Sequence, residues 1–123
     1  MNKMRYTISF VLILSSCFFA IAQETLEGPE QEKDLQRSTN LTWEANKGLS
    51  ENDFVGAEAD YRRAISKSAE NIAAPYNLGN AYYTRESFSE AFGRFKQAGE
   101  LATGKAEKHK AFHNMGNVFM KNK

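Results

Sequence analysis

The sequence is short of the residues that staple or stiffen a chain. One cysteine, Cys17, in 123 residues excludes an internal disulfide framework. Two prolines and almost no β-branched alternation leave little from which to build a sheet, so the expected class is all-α. The formal net charge is only +1, and no basic patch with interleaved aromatics occurs, which argues against nucleic acid or a strongly anionic membrane as partner. Also missing are a glycine-rich phosphate loop, a nucleophile elbow, a Cys-x-x-Cys pair and paired carboxylates in apolar surroundings. The expectation is a chain with no active site and no cofactor.

What is present is a repeat. From Ile72 to Leu101, Leu78, Gly79 and Tyr82 share one helical stripe, and after a break at Glu86–Ser87 a second stripe runs Phe88, Ala91, Phe95, Ala98. This spacing predicts two amphipathic helices in a hairpin. Shifted back by 34 residues, Phe88 falls on Phe54, Ala91 on Ala57, Phe95 on Tyr61, Ala98 on Ala64 and Gly79 on Ala45. Each small or aromatic class is kept, as in an array of stacked helical hairpins. Downstream, His113-Asn114-Met115-Gly116-Asn117-Val118-Phe119 repeats Tyr76-Asn77-Leu78-Gly79-Asn80-Ala81-Tyr82 at a spacing of 37, which reads as three extra residues in the Ala102–Lys108 connection. The small residues mark close helix approach, the aromatics fill the space between hairpins, and no hairpin buries its face alone.

The expected organisation is a signal segment over 1–22, a charged linker over 23–37, and a repeat domain over 38–123, divided into 38–71, 72–105 and a partial third repeat at 106–123. Lys3 and Arg5, the apolar run Ile8–Ala22 and the Ala20-Ile21-Ala22 ending before Gln23 read as a secretory signal. A retained membrane anchor is one rival. Another is lipidation at Cys17, since Leu14-Ser15-Ser16-Cys17 is similar to a bacterial lipobox. Gly28-Pro29 reads as a breaker, with partial helix allowed after Glu30. Ser38 or Thr39 is the expected cap of the first repeat, and Leu41 and Trp43 are expected to supply its apolar contacts, with Trp43 covering the open end of the stack. Pro75 suits a first helical turn. The third repeat shows its first helix only, which suggests a longer array and leaves Phe112, Met115 and Phe119 uncovered, a face for self-association.

His109 and His113, four apart, share a helical face without a third ligand, so a groove histidine is the simpler reading of His113. With Leu78, Gly79 and Tyr82 committed to packing, the remaining face of the first helices carries Tyr76, Asn80 and Tyr83, then His113 and Asn117. That face is amide and aromatic, suited to a peptide held by hydrogen bonds and ring contacts.

Tyr76-Asn77-Leu78-Gly79-Asn80-Ala81-Tyr82-Tyr83 and Ala91-Phe92-Gly93-Arg94-Phe95-Lys96-Gln97-Ala98 resemble the tetratricopeptide repeat family. The resemblance implies a right-handed solenoid of two repeats plus the first helix of a third, and a non-enzymatic adaptor whose concave groove receives protein or peptide partners. By analogy with members that clamp a C-terminal carboxylate, Asn46, Asn77 and Lys110 fall on three of five clamp positions, while Thr42 and Asn114 stand where cations are usual. One positive charge instead of three argues against carboxylate capture. The signal ending in Ala-Gln and the Lys108–Met120 stretch look like the tetratricopeptide proteins of Bacteroides aerotolerance (Bat) operons. This second resemblance implies export to the periplasm of a Bacteroidetes cell, partners that are membrane-anchored von Willebrand-type Bat proteins, and a role in oxygen or stress tolerance. The alternative is a lipid-anchored structural subunit of an envelope assembly.

Overall fold

The structure, a computed structural model, describes residues 28–123. The expected signal segment and residues 23–27 lie outside the described residues. Every regular element among the described residues is helical: α1 (residues 28–50), α2 (Phe54–Lys67), α3 (Ala73–Thr84), α4 (Phe88–Leu101) and α5 (Lys105–Lys121). Residues 34–123 form one compact unit, and residues 28–33 are exposed helix. No helix among the described residues is long and apolar enough to cross a membrane.

Hairpins α1–α2 and α3–α4 follow the expected spacing. Their turns fall 34 residues apart at Asn52 and Glu86, both with left-handed backbone (φ 62° and 61°). Asp53 then caps α2, its carboxylate accepting from the Gly56 amide at 2.9 Å. Between the helices, Phe95 packs on Gly79 so closely that a Cβ there would lie 2.9 Å from the ring. Tyr61 takes the same place against Ala45, and both rings are buried. Ala57, Leu78, Tyr82, Ala91 and Val118 complete one continuous core. Each buried large side chain contributes about 1.5–3 kcal/mol, which is why the aromatic and small positions recur at fixed offsets.

Several expectations are corrected. Helix, allowed after Glu30 in the linker, already runs from residue 28, so Gly28-Pro29 does not break it but opens it; Glu, Gln, Lys and Arg are good helix formers without any apolar stripe, and local pairs such as Arg37–Asp34 (3.3 Å) support them. Ser38 and Thr39 are therefore inside α1 and cap nothing. Ser38 is fully buried and donates to the Ala64 carbonyl at 2.7 Å. Trp43 covers no end of the stack: it is 62% exposed, with Lys47 Nζ 6.0 Å from its ring centre. Ala45 and the partly buried Leu49 join the core from α1 instead. The extra residues between repeats two and three do not lengthen the connection. That connection is 102–104, against 68–72 before it, and the added chain becomes helix at the start of α5. Phe112 is open in part, as expected: it is 37% exposed, while the rest of its ring lies against Gly99 of α4, where a Cβ would meet it at 2.8 Å.

Candidate peptide-binding site

The first helices of the hairpins, α1, α3 and α5, place the expected groove residues in a continuous strip. Asn46 accepts from Asn77 Nδ2 at 3.1 Å and from the Tyr61 hydroxyl at 2.5 Å, tying α1 to α2 and α3. Tyr76 is the hub of the next step. Its ring meets Phe95 edge-on at 5.6 Å, its hydroxyl accepts from Asn114 Nδ2 at 2.8 Å, and Lys110 Nζ sits 4.7 Å from its ring centre. Asn117 and His113 are 3.4 Å apart on exposed α5, and the His113 ring centre is 6.2 Å from that of His109.

Two hollows open along the strip. One, of about 260 Å³, is lined by Ile72, Ala73, Tyr76 and Asn77 of α3, Ala98 of α4, and Glu107, Lys110 and Ala111 of α5. The other, of about 140 Å³, is lined by Asn80, Tyr83, Asn114 and Asn117 over Phe95. Tyr83 reaches the second while its ring meets Phe88 edge-on at 5.7 Å. Asn46 lines neither hollow, being taken up in the joint between repeats.

The clamp positions are used internally. Asn46 and Asn77 bond each other, Asn114 is held by Tyr76, and Thr42 is buried, donating to the Ser38 carbonyl at 2.9 Å. Lys110 is the single cation on the walls of the two hollows. No group of three His, Cys, Asp or Glu side chains stands together among the described residues.

Of the shifted ionisations, Tyr61 touches the strip through its bond to Asn46, and the others lie away from it. The Tyr82 hydroxyl donates to Glu58 and accepts from Arg62 at 3.0 Å, which joins α2 to α3. That bond from Tyr82, with Arg62 beside it, holds the Glu58 carboxyl below its usual range against a smaller opposing effect of burial. Tyr82 itself is raised, by burial first and the carboxylate second, and the Arg62 guanidinium is raised by its bond to Glu58. Burial pushes the Tyr61 phenol up to about 12.

Sequence reasoning missed Ile72, Ala98 and Glu107 as cavity walls. The readable signal was the 34-residue offset itself, which sets Ile72 and Tyr76 opposite Ser38 and Thr42. An apolar residue and a ring replace two hydroxyls.

No protein-family model and no curated protein matches the chain. Among solved structures it is similar to the N-terminal domain of stress-induced protein-1 (STI-1) from C. elegans, with a TM-score of 0.69 and 22% identity, over 72% of this chain and 73% of that one. The fold is an all-α, tetratricopeptide-like helical solenoid.

Proposed function

We propose that the chain is a non-enzymatic adaptor that holds a peptide segment of a partner along the α3–α5 strip. The observation that carries this reading is the pair of hollows, one walled largely by alkyl and ring carbon with Asn77, Glu107 and Lys110 beside it, the other by the amides of Asn80, Asn114 and Asn117 and the rings of Tyr83 and Phe95. Such a surface selects by hydrogen bonding and shape, and its binding should depend only modestly on salt. Asn80 and Asn117 are exposed, so Asn80→Ala with Asn117→Ala should weaken partner capture without lowering the melting temperature. Pull-downs that recover the same partners with this double variant as with wild type would refute the groove.

The finer proposal is an exported protein of the bacterial envelope, of the Bat aerotolerance type, acting beside membrane-anchored von Willebrand-type partners. The basic, apolar and Ala-x-Ala order of residues 1–22 and the Lys108–Met120 stretch support it. Fractionation with intact-mass measurement tests it: a periplasmic chain beginning at Gln23 is expected, and Met1 retained in the mature protein is the contrary result. Label from a palmitate analogue at Cys17 would favour the lipid-anchored subunit instead. Phe119 and Met120, 57% and 67% exposed on α5, favour self-association through that helix as well. Sedimentation should show concentration-dependent association that Phe119→Ser with Met120→Ser removes.

A further inference from the structure

Neighbouring repeats are joined through one position of their first helices. Asn77 of α3 reaches back to Asn46 of α1 at 3.1 Å, and Asn114 of α5 reaches back to the Tyr76 hydroxyl of α3 at 2.8 Å. The counterpart on α1, 34 residues before Asn77, is the exposed Trp43, and no described helix precedes α1 for it to meet. The inner side of α1 is closed by its own hairpin: Asn71 reaches from the α2–α3 connection and donates to Ser38 Oγ at 2.8 Å and Thr42 Oγ1 at 2.9 Å, while Ser38 donates to the Ala64 carbonyl. These three side chains are buried and satisfy one another, so what α1 turns outward is an indole, the only one in the chain. At the opposite end, α5 turns outward a hole. Gly116 has nothing within 4 Å of the place a Cβ would take, and the residues three and four positions to either side of it, Phe112, His113, Phe119 and Met120, are all exposed.

We propose that Trp43 of one copy seats over Gly116 of a second copy, α1 against α5, so that copies associate head to tail. The inference rests on the self-association reading above and names the surface that α5 meets. Charge decides between α1 and a second α5 as the occupant. Residues 105–123 carry five lysines and one glutamate, whereas residues 34–53 carry Asp34, Glu44, Glu51 and Asp53 against Arg37 and Lys47. Two α5 helices would set lysines against lysines, and α1 brings carboxylates to them. The apolar part of the contact agrees. Tryptophan is favoured as the anchor of desolvated interface pockets, and Met120 beside Phe119 offers it sulfur and ring edge. Because the two surfaces differ, the contact adds copies one after another instead of closing as a symmetric pair of like faces.

The lone indole is the probe. With rising protein concentration at about 0.01 M salt, wild type should gain mass in sedimentation velocity while its tryptophan emission moves to the blue, and about 1 M salt should weaken both changes. Trp43→Ser and Gly116→Lys alter exposed positions and should keep the melting temperature, yet each alone should be monomeric. Phe119→Ser with Met120→Ser is a second way to remove the hole should the lysine disturb α5. Mixed together, the Trp43→Ser copy offers an intact hole and the Gly116→Lys copy an intact indole, so the mixture should form a one-to-one pair and stop there. The Trp43 seat is overturned if either variant associates as wild type does, if mass grows with unchanged emission or more strongly in high salt, or if the mixture stays monomeric; loss of association in the Phe119→Ser with Met120→Ser variant then still upholds self-association through α5. If wild type is monomeric at every concentration, both readings are overturned.

Discussion

Helices α3 and α5 carry one pattern 37 residues apart and end in different surroundings. On α3 Leu78 is buried, Gly79 lies under Phe95 and Tyr82 is 5% exposed. On α5 the counterparts are a partly buried Met115, a Gly116 with open space above it, and a Phe119 that is 57% exposed. The difference is the neighbour. α3 packs between α2 and α4, whereas α5 packs on α4 and touches α3 at Tyr76, with no further described helix on its other side. In a stacked fold, then, a sequence pattern states which face a helix offers, and the adjoining helix decides what that face is worth.

The largest contrast should come from truncating the paired aromatics. Tyr82→Ala should cost about 3–5 kcal/mol, as buried ring deletions do, and Phe119→Ala should stay within about 0.5 kcal/mol, as exposed changes do. Urea unfolding of both variants measures it, and equal losses would mean that α5 is covered in solution. Next come the paired glycines. Gly79→Leu drives a side chain into Phe95 and should cost about 1–3 kcal/mol, while Gly116→Leu should be neutral or stabilise by up to about 1 kcal/mol through helix propensity. Opposite signs in the thermal shifts are the expected result.

A smaller effect separates the covered part of the fold by pH. The Tyr61 phenol, ordinarily near 10 and raised by burial to about 12, is favoured neutral in the folded state. Its contribution is complete below pH 10 and is lost as pH rises toward 12. Alkaline titration should loosen the α1–α2 hairpin in this window, and Tyr61→Phe should shrink that step, leaving the part due to Tyr82, which is also raised. The smallest effect is at the turn of the covered hairpin. Glu86 holds a left-handed backbone (φ 61°) where its counterpart is Asn52, a residue that tolerates it. Glu86→Asn should raise stability by up to about 1 kcal/mol, measured by the denaturation midpoint.

The hairpins were legible in the sequence because burial imposes period: Phe88, Ala91, Phe95 and Ala98 can share a stripe only on a helix. The turn at Glu86 was legible for the same reason, as the break between two stripes. The start of α1 was legible only as a partial helix after Glu30, because charged side chains stabilise a helix along its own surface and leave no apolar trace. Trp43 misled because a large ring is read as core, whereas Ala45 on the same helix is the residue that lets Tyr61 close. That Tyr76, Asn80 and Tyr83 share a face follows from spacing alone. The hollow beside Tyr76 does not, since it depends on how the start of α5 settles against α3 and α4, which no spacing states.

The Asn71 bridge also guards the order in which near-identical pieces assemble. With small and aromatic positions matched at 34 residues, a nascent chain could dock α3 against α2 in the place of α1 and fold one repeat out of step. In that arrangement Asn71 would find Ile72 and Tyr76 in place of two hydroxyls, and its amide would be buried without acceptors, at about 1–3 kcal/mol. The correctly threaded chain satisfies the amide at once. One polar side chain thus makes the two hairpins non-interchangeable and disfavours misthreaded and strand-exchanged forms that the packing alone would admit.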